Sequence, residues 1–297
     1  MKRFHIFNPK AGKGISPEFF YKSKAADEEI YVTKGVGDAE RIALETCMNR
    51  DEVHFIVYGG DGTLSEVANG IIKANAGNRV LFSCIPTGSG NDFVRYFANK
   101  EKGIYTIDAV KFDDKYSINS LNSGVDSRVV QSVEQYKKTL KAVSGSGLYI
   151  LGVVNTIFKK MHETWSIKLT LDDGTTEEFI NEDFSLALFA NGQYYGGGFL
   201  AAPLSKLNDG LIDVILVKKV SRAKFISLVT GYKKGIHIDP KTEKVVDKFK
   251  DILIYRRCTA IHIEGITNIC ADGEIVKTSS SDISIAKGVL RYAHLTD

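Results

Sequence analysis

Very little in this chain can cross-link it, span a bilayer or draw it to a polyanion. Its 297 residues contain four cysteines, Cys47, Cys84, Cys258 and Cys270, which are widely spaced, form no C-x-x-C pair and lie mostly in apolar segments. That pattern argues against a disulfide framework or a thiolate zinc site and points to buried, reduced thiols in a cytoplasmic protein. No segment reaches the roughly 18 consecutive apolar residues that a membrane-spanning helix needs, so any membrane contact is expected to be peripheral. A net charge of +3 is too small to argue for nucleic acid. Neither an internal repeat nor a low-complexity tract is present.

What remains is an ordinary globular composition, 43% apolar with both charge signs interspersed, in a chain long enough for two domains. The first third alternates apolar strands, near Arg3–Phe7, Glu29–Thr33, Val53–Tyr58, Val80–Ile85 and Tyr105–Lys111, with helical segments, which predicts a doubly wound parallel α/β domain. Ala39, Ile42, Ala43, Thr46 and Cys47 share one helical face, as do Leu64, Val67, Ala68, Ile71 and Ile72, so both helices should pack on the sheet. From about Lys115 the texture changes to short strands and turns: Trp165–Leu171, the Asp172-Asp173-Gly174 turn, Phe184–Ala190, Leu211–Val217, Ala260–Glu264 and Ile283–Ala286. A mostly antiparallel β-sandwich domain over 115–297 is expected to follow the α/β domain of 1–114, with helices near Leu148–Lys160 and Ser221–Lys233. The boundary is soft, because Asp113-Asp114 also reads as a hairpin turn. Cation pairs at Lys159-Lys160, Lys218-Lys219, Lys233-Lys234 and Arg256-Arg257 read first as solvated faces, with an acidic membrane surface as the alternative.

Three glycine-rich segments leave strands and enter helices at one edge of the predicted sheet, where open α/β sheets bind ligands. Gly59-Gly60-Asp61-Gly62-Thr63 lets the backbone approach an anion, and the next helix offers unpaired amides. Asp61 beside phosphates would be repelled unless a metal ion or a transferable proton accounts for it. Asn8-Pro9-Lys10-Ala11-Gly12-Lys13-Gly14 is no Walker A loop, since glycine is absent at Phe7 and Ser or Thr at Gly14. Gly88-Ser89-Gly90-Asn91-Asp92-Phe93 fails as a dinucleotide fingerprint, because Phe93 replaces the third glycine. Alone, each could be a capped turn; three at one sheet edge favour phosphate binding. In Asp272-Gly273-Glu274 the glycine permits either a hairpin turn or a bend that aims a carboxylate into the interdomain cleft.

Asn8-Pro9-x-x-Gly12, Gly59–Thr63 with Glu66 and Asn69-Gly70, and Gly88–Asp92 resemble, in order, the diacylglycerol kinase catalytic-domain family, which includes bacterial lipid kinases and sphingosine kinases. The likeness continues through Asp108, Asn119–Asp126, Asn191-Gly192, Gly196-Gly197-Gly198, Ala202-Pro203, Asp209–Asp213 and Asp272-Gly273-Glu274, nearly the whole chain. Gly-Gly-Asp-Gly-Thr alone is shared with NAD kinases; the second-domain motifs make the combination specific.

The resemblance implies an ATP- and Mg²⁺-dependent kinase that phosphorylates a lipid hydroxyl, with diacylglycerol or a related glycerolipid as acceptor at a membrane surface. NAD kinase and a silent nucleotide- or lipid-binding module are the alternatives, and a homodimer stays open. It places ATP against Asn8, Pro9, Lys10, Ala11, Gly12, Thr33, Gly60, Asp61, Gly62, Thr63, Leu64, Ser65, Glu66 and Ser89. Asp61, Asp92 and Asp108 correspond to the carboxylates that organise catalytic Mg²⁺, and Lys206, Asp209 and Leu211 to a structural metal position. The general base falls to Asp272-Gly273-Glu274 or, as in sphingosine kinases, to Asp61. Ser89 stands where threonine is usual, Ser65 replaces a common asparagine, and Ser120–Asp126 is more polar than in the family.

Overall fold

The computed structural model describes residues 1–11, 28–125, 127–128 and 161–294. Gly12 of the first glycine segment, and the helix expected from Leu148 to Lys160, fall outside the described residues.

Strands β1 (Lys2–Phe7), β2 (Glu28–Val32), β3 (Val53–Gly59) and β4 (Val80–Pro86) pair in parallel in the order β2-β1-β3-β4. Helices α1 (Asp38–Asn49) and α2 (Asp61–Lys73) follow β2 and β3, and a single turn, α3 (Asp92–Arg95), follows β4. The expected faces are the buried ones. Ala39, Ile42, Ala43 and Cys47 of α1 join Leu64, Val67, Ala68 and Ile71 of α2 in one core with Phe4, Ile6, Phe55, Val57 and Phe82, while Ile72 is only partly buried. Full burial of each large aliphatic or aromatic side chain there contributes about 1.5–3 kcal/mol, which explains why α1 forms despite its four Asp, Glu and Arg residues among twelve.

Strand β5 (Gly103–Phe112) turns at Asp113-Asp114 into β6 (Lys115–Ser117), with Asp113 at φ 51°, so the pair is a hairpin turn. Next come β7 (Ser120–Gly124), β8 (Glu163–Leu171), β9 (Thr176–Ala190) and the two-residue strands β10 (Tyr194–Tyr195) and β11 (Phe199–Leu200). Strand β12 (Ile212–Lys218) leads into α4 (Arg222–Lys233), capped by Ser221, whose hydroxyl accepts from Lys224 N. The short pair β13 (Ile238–Asp239) and β14 (Lys244–Val245) precedes β15 (Leu253–Glu264), β16 (Ile269–Ala271), β17 (Glu274–Val276) and β18 (Ser280–His294).

These strands pair antiparallel through β7-β9-β12-β15-β18, with β8 joining β9 to β15. Alternation along β9 and β12 serves two cores at once. Ala187, Phe189, Val214 and Leu216 face the sandwich interior with Trp165, Ile167, Phe184 and Ile261, while Leu186, Leu188 and Ile215 face the layer under α4. Hence the Leu186–Ala190 end of β9 and the Val214–Val217 stretch of β12 read as unbroken apolar runs.

One expectation is corrected. Strand β5 does not extend the parallel sheet beside β4: the last strand, β18, lies between them, parallel to β4 at Tyr292 and antiparallel to β5. Tyr292 is 2% exposed and packs edge-on against Phe82 and Phe93, so burial of this ring holds the chain's end in the first domain's core. A single sheet path therefore runs from β17 to β2.

Candidate active site

The three glycine segments meet at the carboxyl ends of β1, β3 and β4. Asn8 N donates to Tyr58 O at 3.0 Å, and its side chain both accepts from Lys10 N at 3.0 Å and donates to Thr63 Oγ1 at 2.8 Å. One amide side chain thus shapes the first turn, with exposed Pro9 and Lys10 and half-buried Ala11, and ties it to the start of α2. Thr33 N donates to Phe7 O at 2.8 Å, which seats Thr33 beside that turn. Thr87 N donates to Gly59 O at 2.9 Å, bringing the third segment onto the second. The glycines allow the contact: a Cβ on Gly88 would stand 2.6 Å from Gly60 Cα.

Two helices begin here, and only one is capped by a side chain. The α1 amides Gly37 N and Ala39 N are taken by Glu66 Oε1 and Oε2 at 2.9 and 3.1 Å. At α2 the N-cap is Gly60, with no side-chain cap, so the amides of Asp61, Gly62 and Thr63 form the anion seat. Two expected ATP contacts are accordingly reassigned. Glu66 spends both carboxylate oxygens on α1, and Leu64 is fully buried with its amide on Gly60 O at 3.1 Å. Ser89, exposed at the tip of its loop, stays available to a ligand.

Beside this seat lies a pair of carboxylates. Asp61 Oδ1 accepts from Phe93 N at 3.0 Å, and Asp92 Oδ2 accepts from Gly197 N at 2.8 Å. A Cβ on Gly90 would fall 2.9 Å from Asp61 Oδ2 and 3.6 Å from Asp92 Oδ2, so both oxygens flank one glycine. Asp92 is 6% exposed; its Oδ1 is buried without a hydrogen-bond partner and faces Arg95 Nε at 3.5 Å. Burial first, and the neighbouring Asp61 charge second, push the Asp92 carboxyl up to about 6. This is a hard-oxygen donor set with unspent capacity, and it fits a divalent cation that completes its shell with phosphate oxygens and water, the habit of Mg²⁺. An all-protein cage is a different matter: no group of three or more Asp, Glu, His or Cys suited to a metal occurs among the described residues.

Asp108 resembles this pair in sequence and differs in surroundings. Its Oδ1 accepts from Gly288 N and its Oδ2 from Gly210 N, both at 2.7 Å, and its own amide donates to Leu207 O at 2.6 Å. It clamps β5 to the 207–210 loop and to the irregularity in β18, and among the described residues its hydrogen-bond donors, Gly288 N and Gly210 N, differ from those of Asp61 and Asp92. The metal position expected in that loop is also altered. Lys206 is exposed, and the single carboxylate, Asp209, is held by the Arg257 guanidinium and by Leu211 N at 3.1 Å. A metal ion on Asp209 would have to share that carboxylate with the Arg257 guanidinium.

The hairpin-turn reading of Asp272-Gly273-Glu274 is the one its geometry follows. Asp272 at φ 47° and Gly273 at φ 94° form the two-residue turn of the β16–β17 hairpin, the mirror-image type that glycine favours at its second position. The Asp272 side chain folds back as a cap: Oδ1 accepts from Ser117 Oγ at 2.6 Å, Asn119 N at 3.1 Å and Ser120 N at 3.0 Å. Its Oδ2 accepts from Ser65 Oγ at 2.7 Å and Ile118 N at 2.9 Å. Desolvation raises this carboxyl above the usual range, against the pull of those donors. Ser65, on the helix of the anion seat, is thus the direct link to the turn, and Asn69 braces the same joint by bonding Tyr116 O and N at 2.8 and 3.0 Å. Glu274 opens β17 opposite Ala271 and is exposed.

Residues missed from sequence connect the acid pair to an apolar cavity. The cavity lies between β9, β12 and α4, with Leu186, Tyr195, Val217, Phe225, Leu228 and Phe249 in its wall. The loop from Tyr194 to Leu200 spans the two features: Tyr195 and Phe199 line the cavity, while Gly197 N binds Asp92. Arg95, fixed by Nε and Nη2 on Gly90 O, both at 3.2 Å, sits against Gly198 at the same junction. Three consecutive glycines between aromatic residues were the signal; all three have positive φ, 61°, 80° and 103°.

Comparison with known proteins agrees with this geometry. Residues 2–121 match the diacylglycerol kinase catalytic domain, and residues 119–293 match the YegS C-terminal NAD kinase beta sandwich-like domain. A diacylglycerol kinase of Staphylococcus aureus (strain JH9) is 30% identical over 290 residues, covering 91% of this chain and 84% of that one. The diacylglycerol kinase of Bacillus subtilis (strain 168) is 28% identical over 259 residues, covering 80% and 81%. The crystal structure of a diacylglycerol kinase from Bacillus anthracis strain Sterne shares the fold, with a TM-score of 0.67 at 23% identity over 99% of this chain and 97% of that one. The open amides of α2, the acid pair beside them and these matches across both halves lead to one conclusion: the chain belongs to the diacylglycerol kinase catalytic-domain family, a family of ATP-dependent lipid kinases.

Proposed function

We propose that this protein transfers the γ-phosphate of ATP to the free hydroxyl of diacylglycerol or a closely related glycerolipid, with Mg²⁺ required. The observation that carries the reading is the loop from Tyr194 to Leu200, which touches the acid pair through Gly197 and the apolar cavity through Tyr195 and Phe199. A hydroxyl carried on acyl chains needs such a layout, a greasy wall a few residues from a phosphate seat.

In this reading the amides of Asp61, Gly62 and Thr63 orient the phosphate tail, and Asn8 holds the facing turn in place. Bound Mg²⁺ would offset the charge between the β and γ oxygens; Asp61 and Asp92 are the residues that would hold it and its waters. Arg95, anchored on Gly90 O, supplies a fixed positive charge beside the pair. The acceptor oxygen bonds to the γ-phosphorus as the bond to ADP's bridging oxygen breaks, and the hydroxyl proton must leave to a carboxylate. Asp61 has one carboxylate oxygen, Oδ1, on Phe93 N and its other beside Gly90, whereas Asp272 already accepts five hydrogen bonds, so we assign the proton to Asp61 and the joint between the halves to Asp272.

Purified protein given labelled ATP, Mg²⁺ and mixed micelles of diacylglycerol should yield phosphatidic acid, and EDTA should stop the reaction. No labelled lipid from diacylglycerol, phosphatidylglycerol, sphingoid base or polyprenol, or NADP formed from NAD, would overturn the assignment.

A further inference from the structure

Helix α4 breaks the pattern set by α1 and α2. Of its twelve residues only Leu228 is fully buried. Its inner side supplies Phe225, Leu228, Val229 and Tyr232 to the apolar cavity, so the helix is that cavity's outer wall. Its outward residues are of two kinds. Ile226 and, just past the helix, Ile236 are 54% and 56% exposed. Lys218, Lys219, Arg222, Lys224, Lys233 and Lys234 are exposed around them, with no Asp or Glu anywhere from 218 to 236. The segregation is strong, because without these six cations the chain's net charge would change from +3 to −3. Among the described residues, Lys219 Nζ meets Asp183 at 2.9 Å, and Lys233 Nζ lies 5.2 Å above the Phe199 ring.

We propose that α4 and its flanks, Lys218 to Ile236, form the surface that docks on an anionic lipid bilayer, an inference that rests on the lipid acceptor proposed above. Two exposed isoleucines set among lysines fit an interface with both charged headgroups and an acyl boundary. A nucleic acid would neutralise the lysines and leave the isoleucines in water. Docking in this orientation sets the cavity wall against the membrane that holds the acceptor, and it divides the work within one helix: the inner side meets acyl chains, the outer side meets headgroups.

The test is sedimentation of the full chain with vesicles of phosphatidylcholine alone and of phosphatidylcholine with one-third phosphatidylglycerol. Wild type should bind the second and not the first, with affinity falling as salt rises. Each lysine near such a surface is worth about fivefold in affinity, so Lys224→Gln with Lys234→Gln should weaken binding roughly 25-fold and flatten the salt dependence. Ile226→Ser should weaken it while leaving the salt dependence intact. Phosphorylation of a water-soluble, short-chain diacylglycerol without vesicles should be unchanged in both variants, since none of these residues lines the cavity or the phosphate seat. Equal binding of wild type to both vesicles, undiminished binding by the double lysine variant, or binding to duplex DNA in place of vesicles would each overturn the docking surface. Failure of wild type to phosphorylate the soluble lipid would instead overturn the acceptor assignment, whatever the vesicles show.

Discussion

The acid pair of the first domain and the acidic turn of the second use the same side chain in opposite ways. Asp61 and Asp92 flank one glycine, share few donors and leave one buried oxygen, Asp92 Oδ1, without a hydrogen bond. Asp272 accepts from two hydroxyls and three amides. Carboxylates with unspent lone pairs can bind a ligand's cation or take a proton; saturated ones hold backbone in place. The family motifs contain both kinds, and only the count of donors around each separates them.

The largest effect that could break this contrast comes from Asp61→Asn. Removing a carboxylate poised for ligand and proton should lower turnover by roughly 10³-fold, while the melting temperature holds or rises because Asp92 loses a like-charged neighbour. Turnover near wild type would place the chemistry elsewhere. Asp272→Asn should show the reverse balance. A carboxamide would turn an NH₂ toward some of the five donors, at a cost of about 3 kcal/mol in stability on denaturant unfolding. Activity should fall through loss of the Ser65 and Ser117–Ser120 contacts. An Asp272→Asn protein as stable as wild type but inactive would return Asp272 to the role of base.

Gly88→Ala ranks third. Its new Cβ would stand 2.6 Å from Gly60 Cα, backbone against backbone, so the two glycine segments must part by a few tenths of an ångström or more. Overpacking of this kind costs about 1–3 kcal/mol, and the misplaced amides should raise the KM for ATP more than they lower kcat. Unchanged KM would show that these segments do not converge on the nucleotide.

The local half of this picture was legible in the sequence, and the long-range half was not. Glycine after an apolar strand and before an amphipathic helix has one common structural meaning, so the three segments, α1, α2 and the Ser221 cap of α4 could be read directly. The antiparallel second domain was visible in alternating short strands. Insertion of β18 between β4 and β5 was not, because strand pairing across more than two hundred residues is decided by burial of Tyr292 in a core built elsewhere. Glu66, Asp108 and Asp209 looked like ligand residues for a related reason. A motif shows that an acid is present, while its partners, the α1 amides, Gly210 N with Gly288 N, and Arg257, come from other elements. Gly196–Gly198 stood in the sequence as part of the family likeness, but that they let one loop reach both Asp92 and the cavity depends on contacts with other elements.

The smallest expected effect isolates the Asp92 charge. Its carboxyl, near 3.9 in the unfolded chain, is pushed up to about 6 by burial and by Asp61, so between those values the folded state binds more protons than the unfolded one. Stability from this group is therefore full below about pH 4, declines as pH rises through 6, and stays low above it. Asp92→Asn removes that dependence. The variant should match wild type near pH 4, or fall slightly short through a weaker bond to Gly197 N, and exceed it by on the order of 1 kcal/mol at pH 7. Asp213, 1% exposed and also raised to about 6 by burial, contributes the same trend in both proteins, so the difference between the two unfolding curves belongs to Asp92. Curves that stay parallel from pH 4 to 7 would mean that Asp92 is already compensated without a ligand. The acid pair would then be as settled as Asp272, and the distinction between the two regions would lose its basis.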